Sequence, residues 1–267
     1  MKEKLMLWPF AVEGDFQPFL EMSLLDRPRA AKSGLVLVLP GGGYLMRADH
    51  EGAPVAEKFN ELGWHAATLQ YRVSPSVFPA PQQDAVRALR LIRGRSAECG
   101  VDRIAILGFS AGAHLAACTG TIWNEINADA GDATDRENGR PDAMILCYPV
   151  IYLTHGHLGS AQNLFGAEHP ATDELAPLDL DKLVTAETPP AFLWATAADE
   201  AVPVRCSMEY AGALDGFGIP FEIHVWPTGH HGLCLGDQVT EARPYGDRHP
   251  SSDWMEAAVR FMYWGAK

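Results

Sequence analysis

No stretch of these 267 residues reaches the unbroken apolar length that a membrane span requires. Basic residues are in deficit. Lys and Arg number 21 against 34 Asp and Glu, a formal charge of −13, which argues against a nucleic-acid backbone or an anionic membrane as partner. Cysteine is scarce and odd in number, with five scattered residues, Cys99, Cys118, Cys147, Cys206 and Cys234. That scatter gives neither a disulfide framework nor metal-ligand spacing, and reduced thiols in a cytoplasmic protein are the simplest account. Histidines and carboxylates lack H-E-x-x-H or comparable spacing, so no metal is expected. Residues 1–19 hold Glu3, Glu13 and Asp15 without a long apolar segment, unlike a secretory leader. There is no internal repeat and no low-complexity linker.

What is present fits a single globular domain over residues 1–267, with 47% apolar and 21% charged residues. Short apolar runs alternate with helical periodicity. Strands are expected at 34–39, 64–71, 104–108, 143–149, 191–197 and 221–226. Helices are expected at 54–62, about 81–97, 111 to about 126, 204–217 and 252–264. Strands separated by helices imply right-handed crossovers and a mostly parallel sheet with helices on both faces. The first thirty residues are expected to add antiparallel edge strands. Residues 129–141 are acidic and aperiodic and read as a surface loop. Residues 154–187 carry Gly, Pro and small residues and read as a small partial cap over the carboxyl ends of the strands, where ligands bind in open α/β sheets.

The strongest single signal is Gly108-Phe109-Ser110-Ala111-Gly112, entered from an apolar run and left through small residues suited to a close-packed helix. A G-x-S-x-G between strand and helix is a nucleophile elbow, and it raises a serine Oγ to the top of the sheet. Serine is a poor nucleophile until a base takes its proton, and the base needs an orienting acid. With such an elbow the partners follow in the order acid, then histidine. Asp199 stands just past the 191–197 strand and is the candidate acid. Asp173, Asp179 and Asp181 lie in the irregular insertion and read as solvated or capping residues. After the last strand, two adjacent histidines, His230 and His231, offer themselves as base, and the residues alone do not choose between them. His114, one turn into the elbow helix, reads as a structural hydrogen bonder, and His224 as a strand residue. His50, His65, His155, His157, His169 and His249 read as surface or local hydrogen-bonding groups.

An oxyanion needs converging backbone donors. One is the N–H of Ala111, next to the nucleophile, and others are expected from the loop Leu39-Pro40-Gly41-Gly42-Gly43-Tyr44. Glycine lets that backbone turn and approach a substrate with no Cβ in the way. Phosphate cradling is the competing use of such a loop, but no lysine–hydroxyl pair follows and the dinucleotide fingerprint is absent, so no cofactor is expected. Arg72 is expected to pair with Asp84 and stiffen the turn beneath this loop.

These motifs, with Tyr71-Arg72-Val73-Ser74-Pro75, Phe78-Pro79-Ala80-Pro81, Thr188-Pro189-Pro190-Ala191-Phe192, Val202-Pro203-Val204 and His231-Gly232-Leu233, run over nearly the whole chain. The chain resembles an α/β-hydrolase of the carboxylesterase type related to hormone-sensitive lipase. It is more closely similar to the small bacterial acetylxylan and feruloyl esterase-like (xylan deacetylase-like) group. The resemblance implies Ser110 as nucleophile, Asp199 as acid, His231 as base because Gly and an apolar residue follow it, and Gly42, Gly43 and Ala111 as oxyanion donors. Pro40 replaces the histidine that lipase-like relatives carry before the glycines, and Ala113 replaces a frequent glycine. The implied activity is a serine esterase, with no cofactor, that removes short acyl groups, acetyl above all, from acetylated sugars such as xylo-oligosaccharides. A general short-chain carboxylesterase is the alternative, ahead of a small peptidase or amidase and of a non-enzymatic binding protein. The partner is a small ester substrate, with neither nucleic acid nor membrane, and a homo-oligomer is left open.

Overall fold

Ser33–Leu39 is buried at every position and lies at the middle of the sheet. A strand covered on both faces needs no polar side, which is why its sequence is a continuous apolar run. The computed structural model describes residues 1–26, 33–237 and 249–264. Its strands are β1 (Lys2–Met6), β2 (Phe19–Ser23), β3 (Ser33–Leu39), β4 (His65–Gln70), β5 (Val101–Phe109), β6 (Ala143–Cys147), β7 (Ala191–Thr196) and β8 (Phe221–Trp226). They form one sheet in the order β1-β2-β4-β3-β5-β6-β7-β8. The pairs β1/β2 and β2/β4 are antiparallel, and the pairs from β4 through β8 are parallel. The expected antiparallel edge is therefore present, and the rest is the parallel sheet of an α/β-hydrolase fold.

The helices are α1 (Ala53–Glu61), α2 (Ala80–Gly94), α3 (Ser96–Cys99), α4 (Ala111–Thr121), α5 (Leu158–Phe165), α6 (Thr172–Leu175), α7 (Arg205–Gly216) and α8 (Trp254–Trp264). Side chains alternate across the sheet. Leu35, Leu37 and Ile106 pack with Leu89 of α2, Leu115 of α4 and Tyr210 of α7. Val36, Val38 and Leu107 pack with Phe59 of α1 and Trp254 and Phe261 of α8. The two faces are covered by different helices, and the strand ends between them stay open for a site.

Several expectations need correction. The helix expected to run from 81 to 97 is two, α2 ending at Gly94 with Arg95 as its cap and α3 beginning at Ser96. The elbow helix stops at Thr121, short of 126. Residues 129–141 form the expected surface loop, with internal order that the sequence did not show. Asp132 and Asp135 form a capping box around a short 3₁₀ turn, and both accept hydrogen bonds from Arg87, which is 1% exposed. A charge buried so deeply is stable only when paired, and the acidic turn supplies the pairing. Asp179 is fully buried rather than solvated or capping, and accepts from the Leu153 and Thr154 N–H groups and the Thr154 hydroxyl, which ties the later part of the insertion to its start. That insertion carries α5, α6 and two 3₁₀ turns, and it forms a small cap.

Arg72 and Asp84 meet as expected, and more tightly than a simple pair. The guanidinium spans both carboxylate oxygens at 2.8 to 3.1 Å, and the Arg72 backbone N–H and the Trp8 indole N–H also donate to Asp84. Burial pushes the Asp84 carboxyl upward, and Arg72 pulls it back.

Candidate active site

β5 ends at Phe109, and the chain turns at Ser110 with φ 53° and ψ −117° before α4 begins at Ala111. A residue with a Cβ rarely adopts positive φ, and such strain persists only where the surroundings over-determine it. Here the glycines do so. A Cβ on Gly108 would stand 2.1 Å from the Gly112 carbonyl oxygen, and one on Gly112 would stand 2.3 Å from that of Leu39. The two glycines of G-x-S-x-G are thus close-packing residues, and the strained turn between them holds Ser110 at the carboxyl end of the sheet.

Ser110 Oγ lies 2.7 Å from His231 Nε2, and His231 Nδ1 lies 2.7 Å from Asp199 Oδ2. Asp199 takes two further hydrogen bonds from the N–H groups of Ala201 and Val202, both 2.9 Å. Its carboxylate, 1% exposed, would be driven up by burial, but the hydrogen bond and charge of His231 and the two N–H donors hold it below the usual carboxylate range. An ionised acid fixes the Nδ1–H tautomer and leaves Nε2 free to accept the serine proton. His230 faces away. Its Nδ1 is 2.6 Å from the His231 carbonyl oxygen, an interaction that shapes the loop.

Gly42 and Gly43 have φ 120° and 63°, and a Cβ on the preceding Gly41 would stand 3.2 Å from Ser110 Cβ, so the loop runs beside the serine. The Gly41 N–H is taken by Glu51 at 2.7 Å, while for the N–H groups of Gly42, Gly43 and Ala111 the described residues offer no hydrogen-bond acceptor. Tyr44 follows with φ 59°, and its hydroxyl is 2.8 Å from His114 Nδ1, while His114 Nε2 is 3.2 Å from the Leu178 carbonyl oxygen. Burial drives His114 down to about 4, so it stays neutral and structural. Tyr71 donates to the Pro40 carbonyl at 2.6 Å, which holds the entry to the loop.

Sequence reasoning missed three residues at this site. Glu51, 3% exposed, joins the glycine loop to Tyr148, whose hydroxyl donates to it at 2.6 Å. The Tyr148 ring stands edge-on to His231 with centroids 5.0 Å apart. A signal for Tyr148 existed, since it follows β6 directly and the carboxyl ends of neighbouring strands carry the other site residues; none existed for Glu51. His157, read as a surface or local hydrogen-bonding group, does bond locally, to Ser160, but it lies in the cap beside Gly43. Tyr44 and Trp194 are fully buried in the cores. A cavity of about 440 Å³ beside Trp123 and Lys182 and another of about 290 Å³ between β1, β2 and α1 have neither Ser110, Asp199 nor His231 in their walls. Among the described residues no helix is long and apolar enough to cross a membrane.

The BD-FAE family model matches residues 24–214. The crystal structure of an acetyl ester-xyloside bifunctional hydrolase from Caldicellulosiruptor lactoaceticus is 38% identical, with a TM-score of 0.88, over 99% of this chain and 97% of that one. Endo-1,4-beta-xylanase B of Butyrivibrio fibrisolvens is 37% identical over 77% of this chain and 33% of its own length. Acetylxylan esterase of Xylanibacter ruminicola is 28% identical over 76% of this chain and 42% of its own length. The chain thus spans well under half the length of these curated relatives.

Proposed function

The chain belongs to the BD-FAE family of α/β-hydrolases, and from that premise we propose that it is a serine esterase removing acetyl and other short acyl groups from acetylated sugars such as xylo-oligosaccharides. The observation that carries the reading is the continuous Ser110–His231–Asp199 hydrogen-bond chain beside a glycine loop with uncommitted donors. His231 Nε2 takes the Ser110 proton as Oγ attacks the ester carbonyl. The resulting oxyanion faces the N–H groups of Gly42, Gly43 and Ala111, aimed where charge develops. The imidazolium, steadied by Asp199, then protonates the departing alcohol oxygen. Water enters, loses its proton to the same histidine, and releases the carboxylic acid from Ser110.

The sugar half of the substrate rests on likeness to relatives whose names include acetylxylan esterase and xylanase. A cytoplasmic location is part of the same reading, supported by five cysteines in reduced form, four of them buried. A general esterase for short aliphatic esters is the second reading. It is favoured by Leu45 and Met46 on the glycine loop, 59% and 56% exposed. The deciding assay compares acetylated xylo-oligosaccharides with p-nitrophenyl acetate and an aminoacyl amide on one enzyme preparation. Turnover of the acetylated sugar at a kcat/KM at or above that of the aryl acetate supports the sugar reading. Turnover of p-nitrophenyl acetate alone leaves the general esterase, and preference for the amide overturns both.

A further inference from the structure

The cap presents three polar side chains to the glycine loop at three-residue intervals. His157, Ser160 and Asn163 share one face of α5, and the position a Cβ would take on Gly43 lies 3.9 Å from His157 Cε1, 3.9 Å from Ser160 Oγ and 3.8 Å from Asn163 Nδ2. Asn163 is committed, donating to the Gly43 carbonyl at 2.8 Å, and this bond fixes the height of α5 above the loop. Ser160 is fully buried. His157 is half-buried and caps the helix, its Nδ1 accepting from the Ser160 N–H at 3.1 Å and lying 2.9 Å from the Ser160 hydroxyl.

That cap settles the tautomer. A ring nitrogen that accepts a backbone N–H carries no proton, so the neutral imidazole bears its hydrogen on Nε2. No hydrogen bond to Nε2 is made within the described residues. Burial lowers the basicity of His157, with the nearby His231 adding to the effect and Asp199 opposing it. The ring therefore stays neutral and stands within electrostatic reach of the group that protonates the leaving alcohol.

We propose that His157 Nε2–H is a specificity-determining donor for the alcohol half of the ester, binding a hydroxyl of a polyol substrate. The inference rests on the esterase reading above and deepens it. A hydrocarbon alcohol would cover this donor without offering an acceptor, and a buried unpaired donor is costly, so the group selects for oxygen-rich alcohols. The charge-neutral form suits a neutral sugar better than a carboxylate.

The test uses the whole protein with a monoacetylated methyl β-xyloside, its singly deoxygenated analogues and p-nitrophenyl acetate. In the wild-type enzyme, removing the one contacting hydroxyl should lower kcat/KM about 10-fold. His157→Asn keeps a side-chain oxygen that can cap α5 but is too short to reach the same acceptor. It should lower the ratio of sugar-acetate to aryl-acetate kcat/KM about 10-fold and erase the penalty for that deoxygenation. If no single deoxygenation costs the wild type more than about 2-fold, a result that needs no variant, the inference falls. It falls also if His157→Asn depresses both substrates equally. A wild-type enzyme that turns over the aryl acetate and no sugar acetate overturns the sugar reading and this inference together, whereas the two preceding results overturn the inference alone.

Discussion

Glu51 and Tyr148, 97 residues apart, share a 2.6 Å hydrogen bond that ties the glycine loop to the histidine loop. The other Glu51 oxygen accepts the Gly41 N–H at 2.7 Å, and the Tyr148 hydroxyl also accepts the Cys234 N–H at 3.1 Å. Three loops from three strand ends thus meet on one carboxyl and one phenol, beside the candidate site. Burial pushes the Glu51 carboxyl up, and the Tyr148 hydroxyl, His50 and the Gly41 N–H draw it back. This pair is the scaffold on which the proposed oxyanion donors and His231 keep their separation.

Glu51→Ala should be damaging for that reason. It strands two buried donors, and each costs about 1–3 kcal/mol. Glu51→Gln should be milder, because its carbonyl can still accept from Gly41 while its amide donates to the Tyr148 oxygen. Urea unfolding and kcat on one acetyl ester read the two effects. Equal stability and equal kcat in Glu51→Ala and the wild type would show that the bridge supports nothing.

The two histidines give a second contrast. His231→Ala should lose kcat by roughly 10³-fold or more, on the scale of Ser110→Ala, as removal of any member of such a set does. His230→Ala should retain far more, because His230 contacts the His231 backbone rather than Ser110. The check is kcat/KM for the three purified variants on one substrate, and the reverse ranking of the histidines would move the base to His230.

Much of this site was legible because its signals are local. Gly108, Ser110 and Gly112 sit within five residues, and their close packing is written in the absence of side chains. Asp199 and His231 each lie a few residues past the end of a strand, so the strand pattern marked both as candidates. Choosing between His230 and His231 needed either family likeness or coordinates, since the two are chemically identical and the choice depends on backbone direction. Glu51, Asp179 and Arg87 were illegible for a different reason. Each is a charged residue whose burial depends on partners far along the chain, Tyr148, Thr154 and Asp132 among them. A lone charge in sequence reads as solvated until those partners are known.

Asp84 tests the energetic side of such burial. Its carboxylate is fully buried, and its Arg72 partner is 11% exposed. Asp84→Ala removes the acceptor for the guanidinium, the Arg72 N–H and the Trp8 indole, and breaking a buried pair costs about 3–5 kcal/mol. An equilibrium unfolding curve decides. A loss below about 1 kcal/mol, the range of exposed pairs, would contradict the burial.

Asp199 makes a prediction in pH. Its native value lies below the ordinary one, so its contribution to stability is complete above the unfolded value of about 3.9 and is lost as pH falls through the lower native value. The difference in Tm between wild type and Asp199→Asn should therefore narrow as pH drops below about 4. Thermal scans from neutral to acid pH would show it. A difference that widens continuously into acid would mean that Asp199 is not held ionised by His231.

Acyl length tests the proposed chemistry most directly. The cap is small: α5 spans Leu158–Phe165, α6 spans Thr172–Leu175, and the rest of the insertion is short turns. Asp179 ties the cap's two ends together and Asn163 binds it to the glycine loop, which leaves it little freedom to open a long tunnel. The large aromatics Tyr44 and Trp194 are spent on the cores rather than on walls of a deep pocket. Short acyl groups should therefore turn over faster than long ones. The preference should be graded rather than absolute, because an apolar pocket separates successive methylenes by only about 1–3 kcal/mol. A kcat/KM series from acetate to octanoate, on a common alcohol, measures it. If octanoate outperforms acetate, the deacetylase reading gives way to a general carboxylesterase.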